Sequence, residues 1–547
     1  MENLNLLHLH TYFMFPFAVN SARVMAENRE HWASTRLWLD GFERWLHTCV
    51  TPRSTAICSM LGRWQRAPYT ELGVDSEAYA DMVFFHPFVR HVFFDTQAAD
   101  TDPTLSLIRC YAIPLAGKSV SLRAVNEKGV IQAVDVTDLR LFLFANGVGI
   151  LSIGVEARHV TASNALWINE MMRKVYPSSG RQRREGRAPG KVSMWVDEQG
   201  TEKLVAEEDF ADASMVGLDP PLSKLVQSLL YFLNYDRREY EQILDERMIV
   251  YTYAAIDLAG AAPDFQDSDE YQHLISRFLY VDRIGEGYRY DPEFIRKEMR
   301  RQLYTRWAHE GTYYGYTSYS SIAVTLGASD RGLHQLKEGF LIHRMFNTRY
   351  YLMAVIALFY RATLLMFNEK TALVSRNLYH DQQRHQVSRE NVDSAQHLRA
   401  EFLHFSNYWF FEELSNKDEE CEHYDLQARE YRIHAMKAEI EGELEAMNAS
   451  LGAYYQARNT SAVNRLAMLS LIFGAAAVVT GFFGMNFGGG FEELFFAPKH
   501  PLTHYAAVVA VSLFSLGAVL FGVFVILRNW TDYGKILTPK KTSGPGT

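Results

Sequence analysis

Two long uncharged apolar stretches near the C-terminus constrain the fold of this chain more than any other feature. The first covers Leu466–Phe483, with the apolar residue Val463 three positions before it, and the second covers Tyr505–Leu527. A helix of about 20 apolar residues matches the hydrocarbon thickness of a bilayer. Because both stretches are apolar on every face, they predict a transmembrane hairpin of two helices rather than two helices in a soluble core.

The basic residues that flank this hairpin predict its orientation. Six of them flank the uncharged stretches Leu466–Phe483 and Tyr505–Leu527, on the same predicted side: Arg458, Arg465, Arg528, Lys535, Lys540 and Lys541. The loop between the spans has only Lys499, which is outnumbered by Glu492 and Glu493. The positive-inside rule therefore places both termini in the cytoplasm. A shorter apolar run, Tyr350–Tyr360, is bounded by arginines and predicts a buried core helix.

The composition of the 547-residue chain indicates its cellular compartment and limits the classes of partner that it can bind. Its net charge of −9 gives no global basic field, which argues against a nucleic-acid partner. The four cysteines show no CxxC spacing, so they indicate a reducing compartment rather than a disulfide framework or a cysteine-based zinc site. We expect a multi-pass protein of the inner or plasma membrane, with most of its mass on the cytoplasmic side.

The part of the chain before the spans predicts an α+β cytoplasmic domain over residues 1–333. Its β-rich runs are Met82–Asp95, Ser119–Val125, Asp138–Asn146, Val148–Ala157, Met248–Asp257 and Thr317–Gly327. Helical patterns cover Ser163–Val175 and Leu222–Leu244. The alternation of these patterns favours a mixed or antiparallel sheet with helices packed against it.

Residues 334–462 predict a helical and stalk region. Six apolar residues recur there at spacings of three and four, which is typical of a coiled-coil-like seam on one helix face: Met436, Ile440, Leu444, Met447, Leu451 and Tyr454. We expect one unbroken helix from Asp418 to Phe483, a rod of about 100 Å. Such a rod needs neighbours, either from its own chain or from further copies.

Signatures of soluble enzymes are weak, so we expect no enzymatic activity and no resident cofactor. The run Ala112–Ser119 ends like a phosphate-binding loop but has alanine at the first glycine position. The glycines of Gly147–Gly154 have the wrong spacing for a dinucleotide turn and predict a strand. Several pairs have metal-binding side chains, and we interpret them as ordinary surface or core residues: His8 with His10, Cys421 with His423, and His309 with Glu310. The acidic run Asp418–Cys421 predicts a solvated helix start, with weak binding of a divalent cation as the alternative.

The first predicted span carries a stripe of small residues that leads to a distinctive tripeptide. Ala467, Ser470, Gly474, Ala477 and Gly481 recur every three or four residues. The stripe fits close packing between helices, or a narrow pore lined by several copies of this helix. It ends at Gly484, Met485 and Asn486, at the predicted outer boundary of the membrane.

With these features the chain resembles the CorA family of divalent-cation transporters. The resemblance rests on two C-terminal spans, Gly-Met-Asn at the end of the first span, a long helix that enters the membrane, and a large α/β domain. The resemblance implies five subunits around one pore, with Gly484, Met485 and Asn486 as the selectivity filter. Asn486 would bind the water shell of a hydrated ion, Gly484 would bring its carbonyl close, and Met485 would brace the turn. The implied pore-lining residues are Val463, Leu466, Ser470, Gly474, Ala477 and Gly481, and the acids at the outer mouth are Glu492 and Glu493.

This resemblance implies a homopentameric channel for Mg²⁺, or for Co²⁺ or Ni²⁺, with Mg²⁺ also as a regulatory ion. Its expected partners are further copies of the chain, membrane lipid and divalent cations. Departures from the family pattern at Gly474, at Ala477 and in the glycine-rich loop leave two alternatives open, a ZntB-like Zn²⁺ transporter and a non-conducting sensor or scaffold anchored in the membrane. The predicted segments are 463–486 for the first span, 487–503 for the outside loop, 504–527 for the second span and 528–547 for the cytoplasmic tail.

Overall fold

A computed structural model provides the coordinates of the chain. It describes residues 4–27, 38–49, 57–68, 83–95, 107–175, 180–211, 223–234, 239–244, 247–258, 268–284, 290–326, 341–384 and 387–484, and separate positions between 505 and 524. The chain divides into two compact units, Met1–Glu443 and Leu444–Thr547. The first unit contains both strands and helices, so the predicted α+β class is confirmed for it.

One sheet organises the first unit. Its strands are β1 (Asn5–Val19), β2 (Gln65–Arg66), β3 (Ile108–Ala112), β4 (Ser119–Asn126), β5 (Ile131–Phe144), β6 (Val148–Thr161), β7 (Pro189–Glu198), β8 (Thr201–Asp209), β9 (Tyr240–Gln242), β10 (Ile249–Asp257), β11 (Leu303–Tyr304), β12 (Thr312–Tyr316) and β13 (Ser320–Leu326). The main path through the sheet is β11-β12-β13-β10-β1-β6-β5-β4-β7-β8. β9 pairs with β1, β3 pairs with β5, and β2 pairs with β3.

The central strand β1 is covered on both faces. Leu9, Phe13, Phe15 and Phe17 join the main hydrophobic core, while the ring of Tyr12 packs on the other side against a helix. Strands covered on both faces read as nearly continuous apolar runs, as β1 does. β1 lies antiparallel to β6 and to β10. β10 and β13 are parallel, which requires a long crossover connection, and two helices lie between them in the chain.

Thirteen α-helices have defined bounds within these ranges. They are α1 (Ser21–Glu27), α2 (Trp38–Thr48), α3 (Pro87–Phe93), α4 (Ala162–Met172), α5 (Gly180–Arg184), α6 (Lys224–Leu229), α7 (Asp269–Tyr280), α8 (Pro292–Gln302), α9 (Leu341–Asn347), α10 (Arg349–Gln383), α11 (Arg389–His404), α12 (Asp418–Glu430) and α13 (Ile433–Gly484). A short π-helix, Phe405–Trp409, follows α11. Side-chain caps fix several helix starts, as where Asp291 accepts hydrogen bonds from two backbone N–H groups of α8.

The apolar run Tyr350–Tyr360 lies in α10 and is buried, as expected for a core helix. Its aromatic rings pack against the sheet. The ring centroids of Tyr351 and Tyr12 lie 4.4 Å apart, and the stacked rings of Phe359 and Phe144 have centroids 4.1 Å apart. Among the described residues, one helical stretch, Ile342–Gln383, is long and apolar enough to cross a membrane. Most of its apolar part is buried within the protein, and the core helix of a soluble domain has the same length and composition.

The expectation of one unbroken helix from Asp418 is wrong. α12 ends at Glu430, and α13 begins at Ile433. Between them Arg432 has a φ of 56°, in the left-handed region where helices end. α13 itself has 52 residues, which corresponds to about 78 Å at about 1.5 Å per residue. The predicted seam along it is less exposed than its surroundings, with Ile440, Leu444 and Leu451 buried.

Two local expectations are also wrong, because tertiary packing overrides local pattern. Within the β-rich run Met82–Asp95, Pro87 begins the helix α3, and Phe93 packs against Phe359 of α10. Of the helical pattern Leu222–Leu244, the structure keeps six residues of helix in α6 and then a turn. β9 follows, where the chain pairs with the end of β1. Proline at the first helical position and pairing with a strand distant in the sequence account for these differences.

Candidate functional site

The predicted pore face lies along the C-terminal part of α13. Val463, Leu466, Ser470, Gly474, Ala477 and Gly481 are all helical, at steps of three and four that place them on one side of the helix. All six are exposed in the single chain. A Cβ added at Gly474 or Gly481 would meet no atom within 4 Å among the described residues. Packing within the described part of the chain therefore does not explain these two glycines.

Large apolar side chains are exposed along the same helix. Leu466 is 64% exposed, Leu471 59% and Phe473 70%. Helical positions continue through the second predicted span, where Leu513, Phe521 and other apolar side chains are also exposed. Exposed apolar surface of this extent is typical of a membrane-facing or subunit-facing surface.

Only the first residue of the predicted selectivity filter, Gly484, lies among the described residues. α13 ends at Gly484, the first residue of the Gly-Met-Asn tripeptide. Met485, Asn486, Glu492 and Glu493 lie outside the described residues, so their placement stays a prediction.

The acidic run at the start of α12 is engaged by aromatic and basic side chains. Glu419 accepts hydrogen bonds from Trp307 Nε1 at 2.9 Å and from the Tyr350 hydroxyl at 3.2 Å. Glu422 accepts one from the Tyr304 hydroxyl, and Glu420 is buried rather than solvated. The carboxylates of this run therefore stabilise the packing of α12, which corrects the expectation of a solvated helix start.

Two other pairs named from the sequence make different contacts in the structure. Cys421 Sγ donates to the Ser415 carbonyl, whereas His423 Nδ1 lies 2.7 Å from the Tyr316 hydroxyl, so these two side chains have different partners. His309 Nε2 lies 3.8 Å from Glu310 Oε1, and both side chains are largely exposed. These arrangements fit the ordinary structural roles that we expected.

His8 and His10, in contrast, belong to a compact polar cluster. In the sheet register His10 lies opposite Glu156 of β6 on one side and opposite Tyr253 of β10 on the other. His8 Nε2 and His10 Nδ1 each lie 3.4 Å from a carboxylate oxygen of Glu156. α9 adds His343, whose Nε2 is 2.8 Å from His10 Nδ1. We refer to His8, His10, Glu156 and His343 as the histidine cluster.

Aromatic packing holds α9 over this part of the sheet. The ring of Phe346 stacks on Tyr251 with centroids 4.2 Å apart, and the Tyr251 hydroxyl donates to the Phe346 carbonyl at 2.8 Å. The Tyr12 hydroxyl donates to Asn347 Oδ1. These contacts fix the helix that carries His343, so the position of its imidazole over β1 depends on several independent interactions.

The protonation states within the histidine cluster follow from its burial. Desolvation lowers the pKa of His10 to about 3 and the pKa of His343 to about 4. The contact with His8 is the largest cause that lowers the pKa of Glu156 to about 2. At neutral pH His10 and His343 are therefore neutral, and Glu156 is an ionised carboxylate.

The sequence indicated half of this cluster. His8 and His10 alternate along a strand, a spacing that places both side chains on one face. His343 and Glu156 were missed, because they lie more than a hundred residues away and no local pattern connects them. The useful signal was the rarity of two histidines in a strand that is otherwise apolar.

Comparison with known protein families adds an independent observation about the C-terminal part of the chain. Residues 337–528 match the family described as "CorA-like Mg2+ transporter protein". The match covers about a third of the chain and contains both apolar stretches and the Gly-Met-Asn tripeptide.

These residues are thus similar to the CorA family. The predicted resemblance is therefore confirmed over residues 337–528, which we call the CorA-like region. The family consists of membrane transporters of divalent cations rather than enzymes. Comparisons with curated proteins and with solved structures found no match.

The CorA-like region begins just before α9 and contains α9 to α13. It includes every predicted filter and pore residue, and it also includes His343. His8, His10 and Glu156 lie outside it, in the sheet of the N-terminal part. The histidine cluster thus joins the first helix of the CorA-like region to strands that the family match does not cover.

Proposed function

We propose that this protein is a homopentameric channel that carries Mg²⁺ across the cell membrane, driven by the electrochemical gradient. The observation that carries the proposal is the CorA family match over residues 337–528. The match contains Gly484, Met485 and Asn486 directly after the first apolar stretch, where the resemblance requires a filter. Transport of Co²⁺ or Ni²⁺ through the same pore fits the same reasoning.

The exposed apolar surface of α13 supports the proposed topology. Residues 463–486 form the first span and 504–527 the second, with both termini in the cytoplasm. Side chains such as Leu466, Phe473 and Phe521, exposed in one chain, then contact lipid or neighbouring subunits. When five copies surround one axis, the exposed stripe that contains Ser470 and Gly474 lines one common pore in all of them.

A ring of asparagines suits a magnesium filter for a physical reason. Mg²⁺ gives up its hydration water reluctantly, so a filter that recognises the hydrated ion avoids the cost of dehydration. Amide oxygens of Asn486 accept hydrogen bonds from that water shell and bind the ion weakly enough to release it. The carbonyl of Gly484 adds a second neutral oxygen, and Met485 fixes the turn between them.

The remaining predicted residues have separate tasks in this proposal. Glu492 and Glu493 concentrate cations at the outer mouth through their negative charge. Val463 and Leu466 form the hydrophobic constriction at the cytoplasmic end. An inward-negative potential supplies about 4.6 kcal/mol per 100 mV for a divalent ion. Transport therefore needs no nucleotide-binding site. Mg²⁺ on the cytoplasmic side is also proposed as the regulatory ion.

Flux into liposomes tests the proposal directly. Purified full-length protein is reconstituted, and Mg²⁺ and Zn²⁺ uptake are followed with entrapped fluorescent indicators at an inward-negative potential. The proposal predicts Mg²⁺ uptake above that of protein-free liposomes. Zn²⁺ uptake that depends on a proton gradient would favour the ZntB-like alternative, and the absence of uptake for every ion would favour a non-conducting sensor or scaffold.

The mass of the complex in detergent is a second test. One hairpin contributes a single pore-lining helix, so a monomer cannot enclose a pore. The proposal predicts a particle of five chains by mass photometry or by light scattering with detergent correction. A monomer or dimer that nevertheless conducts Mg²⁺ would overturn the pentameric arrangement.

A further inference from the structure

We propose that His8, Glu156 and His343 form a binding site for a zinc-class divalent cation in the N-terminal part of the protein. One ligand atom from each of these side chains lies within 4.8 Å of the other two. The site is separate from the proposed pore, and binding there does not require that the protein conduct ions.

The donor set points to zinc rather than magnesium. Two imidazole nitrogens and one carboxylate are a frequent ligand set for Zn²⁺, with water in the fourth position. Imidazole suits Zn²⁺, Ni²⁺ and Co²⁺, whereas Mg²⁺ prefers oxygen ligands in an octahedral arrangement. Metal–ligand distances of about 2.0–2.2 Å require the three side chains to move closer together by about an ångström.

The charges around the cluster are mixed. The Glu156 carboxylate lies beside the imidazoles of His8 and His343 and attracts a cation. Arg140 and Arg158 lie near enough to act electrostatically on the cluster, and their positive charges moderate the attraction for a cation.

His10 is a positioning residue rather than a ligand in this proposal. Its Nδ1 lies 2.8 Å from His343 Nε2 and 3.4 Å from Glu156 Oε1, so it contacts two of the three ligands. Hydrogen-bonded neighbours of metal ligands fix the tautomer and orientation of the ligand rings. Its Nε2 is buried and has no hydrogen-bond partner among the described residues.

The site is accessible to an ion without opening the core. Glu156 retains 22% exposure of its side chain, and His343 is half-buried. His8 and His10 lie deeper, with 9% and 2% exposure. An ion can therefore enter from the Glu156 side and keep one water there. Once bound, it would connect α9, at the start of the CorA-like region, to β1 and β6.

Metal titration of the purified full-length protein tests the site. Chelator-treated protein in detergent competes for Zn²⁺ with a chromophoric chelator, and bound equivalents per chain are counted. The unmodified protein is expected to bind one more equivalent than the H8A/H343A double variant. Glu156→Gln should weaken this equivalent at least tenfold, and His10→Ala tenfold to a hundredfold. Mg²⁺ in large excess should not displace it.

His309→Ala is the matched control, because His309 is an exposed histidine beside a glutamate on the same unit. It should leave the number of bound equivalents and their affinity unchanged. The proposal would be overturned if the H8A/H343A variant bound Zn²⁺ with the same stoichiometry and affinity as the unmodified protein. This outcome counts when the variant elutes with the oligomer mass of the unmodified protein.

A spectroscopic measurement on the unmodified protein covers the case in which the variant fails to assemble. Co²⁺ added at one equivalent per chain should give the strong visible bands of a four-coordinate nitrogen and oxygen site, and Zn²⁺ should abolish them. Only the weak bands of six-coordinate Co²⁺ would contradict the site. Liposome flux is measured separately, so failure of this site and failure of the channel are distinguishable.

Discussion

Tyr351 of α10 donates a hydrogen bond to Ser152 of β6 across 2.8 Å, in a fully buried position. Tyr351 lies within the CorA-like region, and Ser152 lies in the sheet that precedes it. The guanidinium of Arg140 covers the same tyrosine ring at 5.2 Å. The start of the CorA-like region is therefore part of the N-terminal core rather than a helix appended to it.

Removal of this hydrogen bond should destabilise the fold. Tyr351→Phe leaves the Ser152 hydroxyl buried without this donor, and we expect a loss of about 1–3 kcal/mol in the free energy of unfolding. Chemical denaturation of the full chain in detergent measures the loss. Tyr379→Phe is the matched control, because Tyr379 lies on the same helix and is 58% exposed. Equal stability of the two variants would contradict a structural role for the Tyr351–Ser152 contact.

Acidification should destabilise the protein through His423. Burial is the main cause that lowers the pKa of His423 below its ordinary value, against the opposing effect of Glu419 and Glu422 and with a smaller lowering effect of Arg306. As the pH falls through about 6.5, the unfolded chain binds a proton that folded His423, bonded to Tyr316, does not bind. Stability is therefore lost as the pH falls, by at most about 1.4 kcal/mol per pH unit from this group.

The comparison of His423→Gln with the unmodified protein measures this contribution. Between pH 7 and pH 5.5 the variant should lose less stability than the unmodified protein, since glutamine does not titrate. His397→Gln serves as the control, because the His397 side chain is 76% exposed on α11. It controls for the removal of a histidine side chain as such, at an exposed position. A His423→Gln profile parallel to that of the unmodified protein would show that His423 takes up its proton equally in both states.

A larger side chain on the predicted pore face should block conduction. Gly474→Leu places a bulky group on the stripe that five copies of α13 are proposed to share. We expect Mg²⁺ flux at least tenfold lower, with the oligomer mass unchanged. Phe473→Leu changes the neighbouring residue, which is 70% exposed and about 100° away around the helix, and should retain flux. Undiminished Mg²⁺ flux in the Gly474→Leu variant would show that Gly474 does not line the pore.

The sequence predicted the parts of this protein that depend on local pattern. Periodic apolar residues predicted the burial of Tyr350–Tyr360 and the seam through Ile440 and Leu451. The Gly-Met-Asn tripeptide, in its position after an apolar stretch, led to the CorA family. These features are readable because each is encoded within one short segment.

Features that depend on distant segments were not predictable. The helix α3 replaces an expected strand because Pro87 begins it and Phe93 packs on α10, a partner more than 250 residues away in the chain. The break before Ile433 depends on the backbone conformation of one residue, Arg432, which no composition pattern indicated. His343 joins His8 and Glu156 only after the strands pair and α9 packs on them.

Substitution of Asn486 tests the central claim most directly. Mg²⁺ flux into liposomes is compared for the unmodified protein, Asn486→Ala and the control Asn448→Ala, which removes an exposed amide from α13 far from the proposed filter. The channel proposal predicts that Asn486→Ala abolishes flux while Asn448→Ala conducts like the unmodified protein, with all three at the same oligomer mass. Undiminished Mg²⁺ flux through Asn486→Ala would contradict it.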